Sequence, residues 1–138
     1  MKRIAIAAAL AAATLGVGAA QAGHLNVAVE GATFKGDTIT FPSVLMDKPG
    51  WLVIHGVENG APVVPGSEGH VWLPAGESRD VSVDVSGMVM KGADYIVMLH
   101  YETNGNESYD FGPDSTDVDT PAMKADGTPY MIMFKTAM

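Results

Sequence analysis

The side chains of this 138-residue chain that have metal or acid–base chemistry to offer are four histidines (His24, His55, His70 and His100), nine methionines and a run of carboxylates; there is no cysteine. Without a thiolate there is no thiol nucleophile, disulfide, iron–sulfur centre or thiolate zinc site, and a blue-copper electron carrier, which needs a Cys ligand, is excluded. Imidazole and thioether remain, and a thioether is soft enough to favour copper(I) over zinc, calcium or magnesium. In Ile96-Val97-Met98-Leu99-His100, Met98 and His100 stand two apart, so on a strand both side chains leave one face. His55 ends a second apolar run, Trp51-Leu52-Val53-Ile54-His55, and a strand beside the first would bring it to the same place. His55, Met98 and His100 are therefore the leading copper ligands, with His24 and His70 as further candidates. The competing reading is structural: Met fills irregular core gaps, and a His near a strand end bonds a backbone carbonyl.

Other groupings are weaker. A free amine at Gly23 followed by His24 would offer copper(II) amine, amide and imidazole nitrogens, set against a frayed terminus with no ligand. Glu102, Glu107, Asp110, Asp114, Asp117 and Asp119 fall in one segment with no base among them. Like charges there repel unless solvated or bridged by a cation. Asp114 to Asp119 offers calcium three carboxylates, but the Gly and Glu that a helix-flanked calcium loop requires are missing, and a solvated acidic loop is the simpler expectation. Trp51 reads as core. Trp72 shares a strand face with His70 and precedes Pro74 and Gly76, which suits a loop-rich sandwich end where ligands bind. No G-x-S-x-G, P-loop, G-x-G-x-x-G or H-E-x-x-H pattern occurs, which argues against an enzyme.

The elements that must position these residues are short. Lys2-Arg3, an Ala-rich apolar run from Ile4 to Leu15, and Ala20-Gln21-Ala22 fit the three regions of a cleaved secretory signal over residues 1–22, leaving 23–138 as one domain that works in the periplasm or outside the cell. No later apolar run is long enough to predict a transmembrane segment. The 16 acidic residues against 8 basic ones, a formal charge of −8, exclude a nucleic-acid partner. Period-two alternation predicts strands at Leu25–Glu30, Asp37–Leu45, Trp51–Val57, His70–Leu73, Asp80–Val85, Tyr95–Glu102 and Tyr130–Thr136, an all-β chain of about seven strands in a two-sheet antiparallel β-sandwich. Valines 81, 83 and 85 should face the core while Asp80, Ser82 and Asp84 face water; the runs ending in His55 and His100 are apolar on both faces and should be central. Gly36-Asp37, Pro49-Gly50, Asn59-Gly60, Asn104-Gly105 and Asp126-Gly127 mark turns.

Gly50-Trp51-Leu52-Val53-Ile54-His55, Tyr95-Ile96-Val97-Met98-Leu99-His100 with its acidic sequel, Asp119-Thr120-Pro121-Ala122 and Asp126-Gly127-Thr128-Pro129 before a last apolar strand together resemble an uncharacterised domain family of exported bacterial and haloarchaeal surface proteins. The resemblance implies a cupredoxin-like or immunoglobulin-like sandwich and an extracytoplasmic location, and no activity. This chain has Tyr101-Glu102 where the family commonly places an Asp shortly after the His. The sequence thus predicts an exported, non-enzymatic β-sandwich that binds a ligand at one end, with copper held by a His/Met site. The alternative is an envelope or surface interaction module that contacts a protein or a glycan without metal.

Overall fold

The computed structural model describes residues 25–86, 89 and 92–136. The signal segment expected at 1–22 and the candidate ligand His24 lie outside the described residues. Among the described residues nine strands follow in order: β1 Asn26–Val27, β2 Thr33–Lys35, β3 Thr38–Met46, β4 Gly50–Glu58, β5 Ala61–Pro62, β6 Gly69–Leu73, β7 Gly76–Asp84, β8 Asp94–Tyr101 and β9 Met131–Lys135. All pair antiparallel, in two sheets. In the first, β3 pairs with β7 along one edge and with β1 and β2 along the other. In the second, β4 lies between β6 and β8, β9 closes the far side of β8, and β5 pairs with the end of β4. No helix among the described residues is long and apolar enough to cross a membrane.

All seven expected strands are present. The two unforeseen ones, β2 and β5, have three and two residues, too few for alternation to show a period. β7 also begins earlier than its expected start at Asp80, and the reason lies on its neighbour. Phe41 pairs with Val81 and Ser43 with Arg79, but Pro42, which has no amide to donate, faces Asp80, whose φ is 52°. Inward positions on β3 switch there from Ile39 and Phe41 to Val44 and Met46. Before Asp80 the strand reads Gly-Glu-Ser-Arg, so polar composition hides a ladder that resumes on the amino-terminal side of that position. Pro49-Gly50 is likewise not a free turn, since Gly50 opens β4. Asn59 (φ 55°) and Gly60 (φ 78°) do form the tight reversal between β4 and β5, with both residues at positive φ.

The core between the sheets joins Ile39, Phe41, Val81 and Val83 to Leu52, Ile54, Val97 and Leu99. Phe134 meets Phe41 edge-on at 5.6 Å and stacks on Phe34 at 6.3 Å. Tyr130 ties the amino-terminal strand into this core: its Oη accepts the Val27 amide at 2.8 Å. Tyr130→Phe leaves that buried N–H unpaired and should cost about 1–2 kcal/mol. Urea unfolding checks this as a lower midpoint with an unchanged slope.

Candidate functional site

The two central strands of the second sheet, β4 and β8, are buried on both faces. Leu52, Ile54, Val97 and Leu99 fill the core, while Trp51, Val53, His55, Ile96, Met98 and His100 point the other way and are buried as well. This outer face is covered by the loops over 59–68 and 102–119, which explains two central strands that read as apolar throughout. Trp51 therefore packs in a second cluster outside the main core, and the site lies on a sheet face instead of a sandwich end.

Register brings the leading candidates together. Trp51 pairs with His100, Val53 with Met98 and His55 with Ile96, so the two histidines flank the Val53–Met98 pair on adjacent strands. Both are fully buried, and their ring centres are 6.1 Å apart with planes tilted by 32°. His55 Nδ1 lies 2.8 Å from Gly66 O and 3.0 Å from Val63 O; His100 Nδ1 lies 2.6 Å from Asp119 O. A carbonyl oxygen only accepts, so each Nδ1 carries the hydrogen and each Nε2 keeps a bare lone pair. Neither Nε2 has a hydrogen-bond partner, and with Tyr109 Oη these are the three buried side-chain polar atoms without one among the described residues. All three belong to this cluster.

Burial drives the electrostatics. It pushes His55 below the usual imidazole range, against the opposing pull of the Gly66 and Val63 carbonyls. It takes His100 down to about 4; the Asp119 carbonyl resists and the neighbouring His55 adds to the shift. Both rings are therefore neutral at pH 7. Burial, with the nearby Asp119, pushes the Tyr109 phenol up, so it too is uncharged.

The acidic segment builds the cover, which corrects the expectation of a merely solvated loop. Asp119 is fully buried, and its carboxylate accepts the amides of Thr103 at 3.0 Å and Asp110 at 2.7 Å. Thr103 Oγ1 accepts the Asp119 amide in return. Glu102 accepts the amides of Asn106 and Glu107 and the Trp51 indole N–H, and Asp110 accepts from Asn104 and Asn106. Carboxylates thus satisfy backbone donors that a long connection would otherwise leave open. The calcium reading loses its geometry, because Asp119 is turned inward while Asp114 and Asp117 stay exposed. Among the described residues no three His, Cys, Asp or Glu side chains come together as a metal site.

Tyr109 and Phe111 press this segment onto the face. Phe111 meets the His100 ring at 4.9 Å and Tyr109 meets it at 5.5 Å, both edge-on. Sequence reasoning weighs the segment for charge alone and misses both; two aromatics within an otherwise polar run are the available signal. His70 is exposed and packs on Tyr109 at 4.6 Å and Trp51 at 5.5 Å, at the rim of the cluster. Trp72 is half-buried and meets Trp51 edge-on at 5.2 Å. Toward the other edge, Met131 pairs with Met98 and Met133 with Ile96, and both are exposed, as is Met123.

The chain belongs to the family described as Domain of unknown function (DUF7282), whose model matches residues 25–136. It is similar to Cell surface glycoprotein 1 of Haloarcula hispanica, at 29% identity over 94 residues, and to Cell surface glycoprotein 2 of the same organism, at 28% over 94 residues. Each alignment covers 68% of this chain and 10% of the relative, so the chain spans about a tenth of the length of the curated relatives it matches. No solved structure matches it significantly.

Proposed function

We propose that this member of the family is an exported, non-enzymatic module of the cell surface that contacts another envelope protein through the methionine-bearing edge of its second sheet. Relatives named as cell surface glycoproteins support the location. The observation that carries the contact is a pair of exposed methionines on the edge strand β9, Met131 at 37% and Met133 at 47%, with a third, Met123 at 51%, bridged to Pro129 just before that strand. Unbranched, polarizable thioethers adapt to a partner's surface. Among the described residues β9 also ends its sheet, and such a ladder edge can be extended by an extended partner segment.

A photoreactive residue in place of Met133, in cells of the native host, should crosslink to one envelope protein. The adduct should disappear when Met131 and Met123 become serine in the same chain. A protein retained in the cytoplasm, or an adduct indifferent to those substitutions, contradicts the proposal.

A further inference from the structure

We infer that His55, Met98 and His100 form a preformed, buried copper(I) site in which two imidazole Nε2 atoms and one thioether sulfur are the ligands. Two buried lone pairs without partners on neighbouring strands are the primary observation. Buried polar groups are otherwise paired almost without exception, and one bound cation would satisfy both. A role as pegs for the covering loops accounts for the Nδ1 bonds to Gly66, Val63 and Asp119, and leaves both Nε2 atoms unexplained. Those same bonds are the outer-shell pattern of metal-ligating histidines, which donate their second ring N–H to a carbonyl or carboxylate and so fix tautomer and ring orientation.

The spacing fits the metal. An ion about 2.0 Å from an imidazole nitrogen lies about 3.2 Å from that ring's centre, so two rings sharing it have centres at most about 6.4 Å apart. The observed 6.1 Å lies within that limit, and an ion shared by both rings at this spacing would subtend a wide nitrogen–metal–nitrogen angle. A closed-shell copper(I) ion accepts that arrangement, whereas tetrahedral zinc would draw the ring centres to about 5 Å. Met98, on the same face between the two histidine positions, supplies the soft donor that selects copper(I).

Charge points the same way. The donors are neutral, the surroundings include Val53, Ile96 and Phe111, and the Asp119 carboxylate is engaged by two amides. The cost of bringing an ion out of water rises with the square of its charge, so a monocation is tolerated where a dication without a counter-charge is not. Buried Met98 has exposed Met131 as its cross-strand partner on β9.

The test is anaerobic titration of the purified protein with copper(I) in competition with bicinchoninate, a chromophoric copper(I) chelator. One copper(I) per chain is expected, with X-ray absorption showing nitrogen and sulfur neighbours. Met98→Leu, which nearly conserves volume, should keep the circular dichroism spectrum and weaken binding at least tenfold. His100→Asn and His55→Asn should each abolish stoichiometric binding. Because these buried variants can lose the fold, copper(I) is also added to wild-type protein labelled with 15N-histidine, where the Nε2 resonances of both rings should move together. Absence of binding by the wild type, undiminished binding by Met98→Leu, or Nε2 resonances that ignore copper(I) overturns the inference. So does binding that vanishes in a Met123, Met131 and Met133 to Leu variant with Met98 and both histidines intact.

Discussion

Gly50→Ala is expected to lower the melting temperature by about 10 °C or more, or to leave no folded protein. Gly50 opens β4 and is paired on both sides, with Leu73 of β6 and Tyr101 of β8. A Cβ there would overlap the His100 carbonyl oxygen and lie 2.9 Å from Tyr101 Cα and 3.0 Å from the His100 carbonyl carbon. Overpacked cores usually lose about 1–3 kcal/mol because side chains move aside. In β4 the obstructing atoms are backbone held in a ladder, so the cost should exceed about 3 kcal/mol, and each kcal/mol is worth about 2–8 °C in a domain of this size class. Strand separation at this point would also break the Trp51–His100 pair and open one end of the site. Gly60→Ala is the comparison: its turn has open space around the added carbon and only the positive φ to pay for, about 1–2 kcal/mol. Thermal melts of the two variants check the register, and a Gly50→Ala protein melting within a degree or two of wild type would refute the β4–β8 pairing.

The second large effect is acid sensitivity centred on His100. Its folded pKa of about 4 lies below the ordinary 6.5, so between those values the unfolded chain binds the proton that the folded chain refuses. The unfolded state then carries more protons, and stability must fall as pH falls. His100 alone should remove about 2 kcal/mol at pH 5 and about 3 kcal/mol by pH 4, relative to pH 8. His55, shifted in the same direction, adds to this. The groups facing His100 are His55, Tyr109 and Asp119; His55 becomes cationic as the pH drops, which reinforces the penalty, and the phenol stays neutral throughout. Urea unfolding midpoints from pH 8 to pH 4 should therefore decline steadily below 6.5, and the decline should be shallower in a folded His100→Asn protein. A flat profile would mean that the imidazole reaches water. The same proton competes with copper(I) for Nε2, so metal release should follow the same pH window.

Much of the architecture was legible because burial writes a period into strands. Valines 81, 83 and 85 face inward and Ser82 and Asp84 outward, as alternation predicts, and the doubly apolar runs at Trp51 and Tyr95 are the two central strands of their sheet. The failures have local causes. Pro42 opposite Asp80 shifts the inward parity of β3, so a simple alternation rule truncates β7 there. Pro49-Gly50 looks like turn chemistry, but Gly50 is required by the His100 carbonyl against it.

The candidate site was half legible. A two-residue spacing puts Met98 and His100 on one face, and a neighbouring central strand supplies His55. The cover was not legible, because its order comes from hydrogen bonds between residues distant in sequence. Asp119 reaches back to Thr103, and its own carbonyl takes the His100 ring N–H. Six carboxylates in one segment look like a solvated charge run until the amides that Glu102, Asp110 and Asp119 bind are known.

Nitrogen-15 NMR of histidine-labelled protein most directly tests whether two neutral, sealed imidazoles present free Nε2 atoms to each other's neighbourhood. At pH 7 the spectra should show His55 and His100 protonated at Nδ1 and bare at Nε2, with His100 unchanged on acidification to pH 5. A proton on Nε2 of either ring at pH 7, or an imidazolium at position 100 already present at pH 6, would contradict the account.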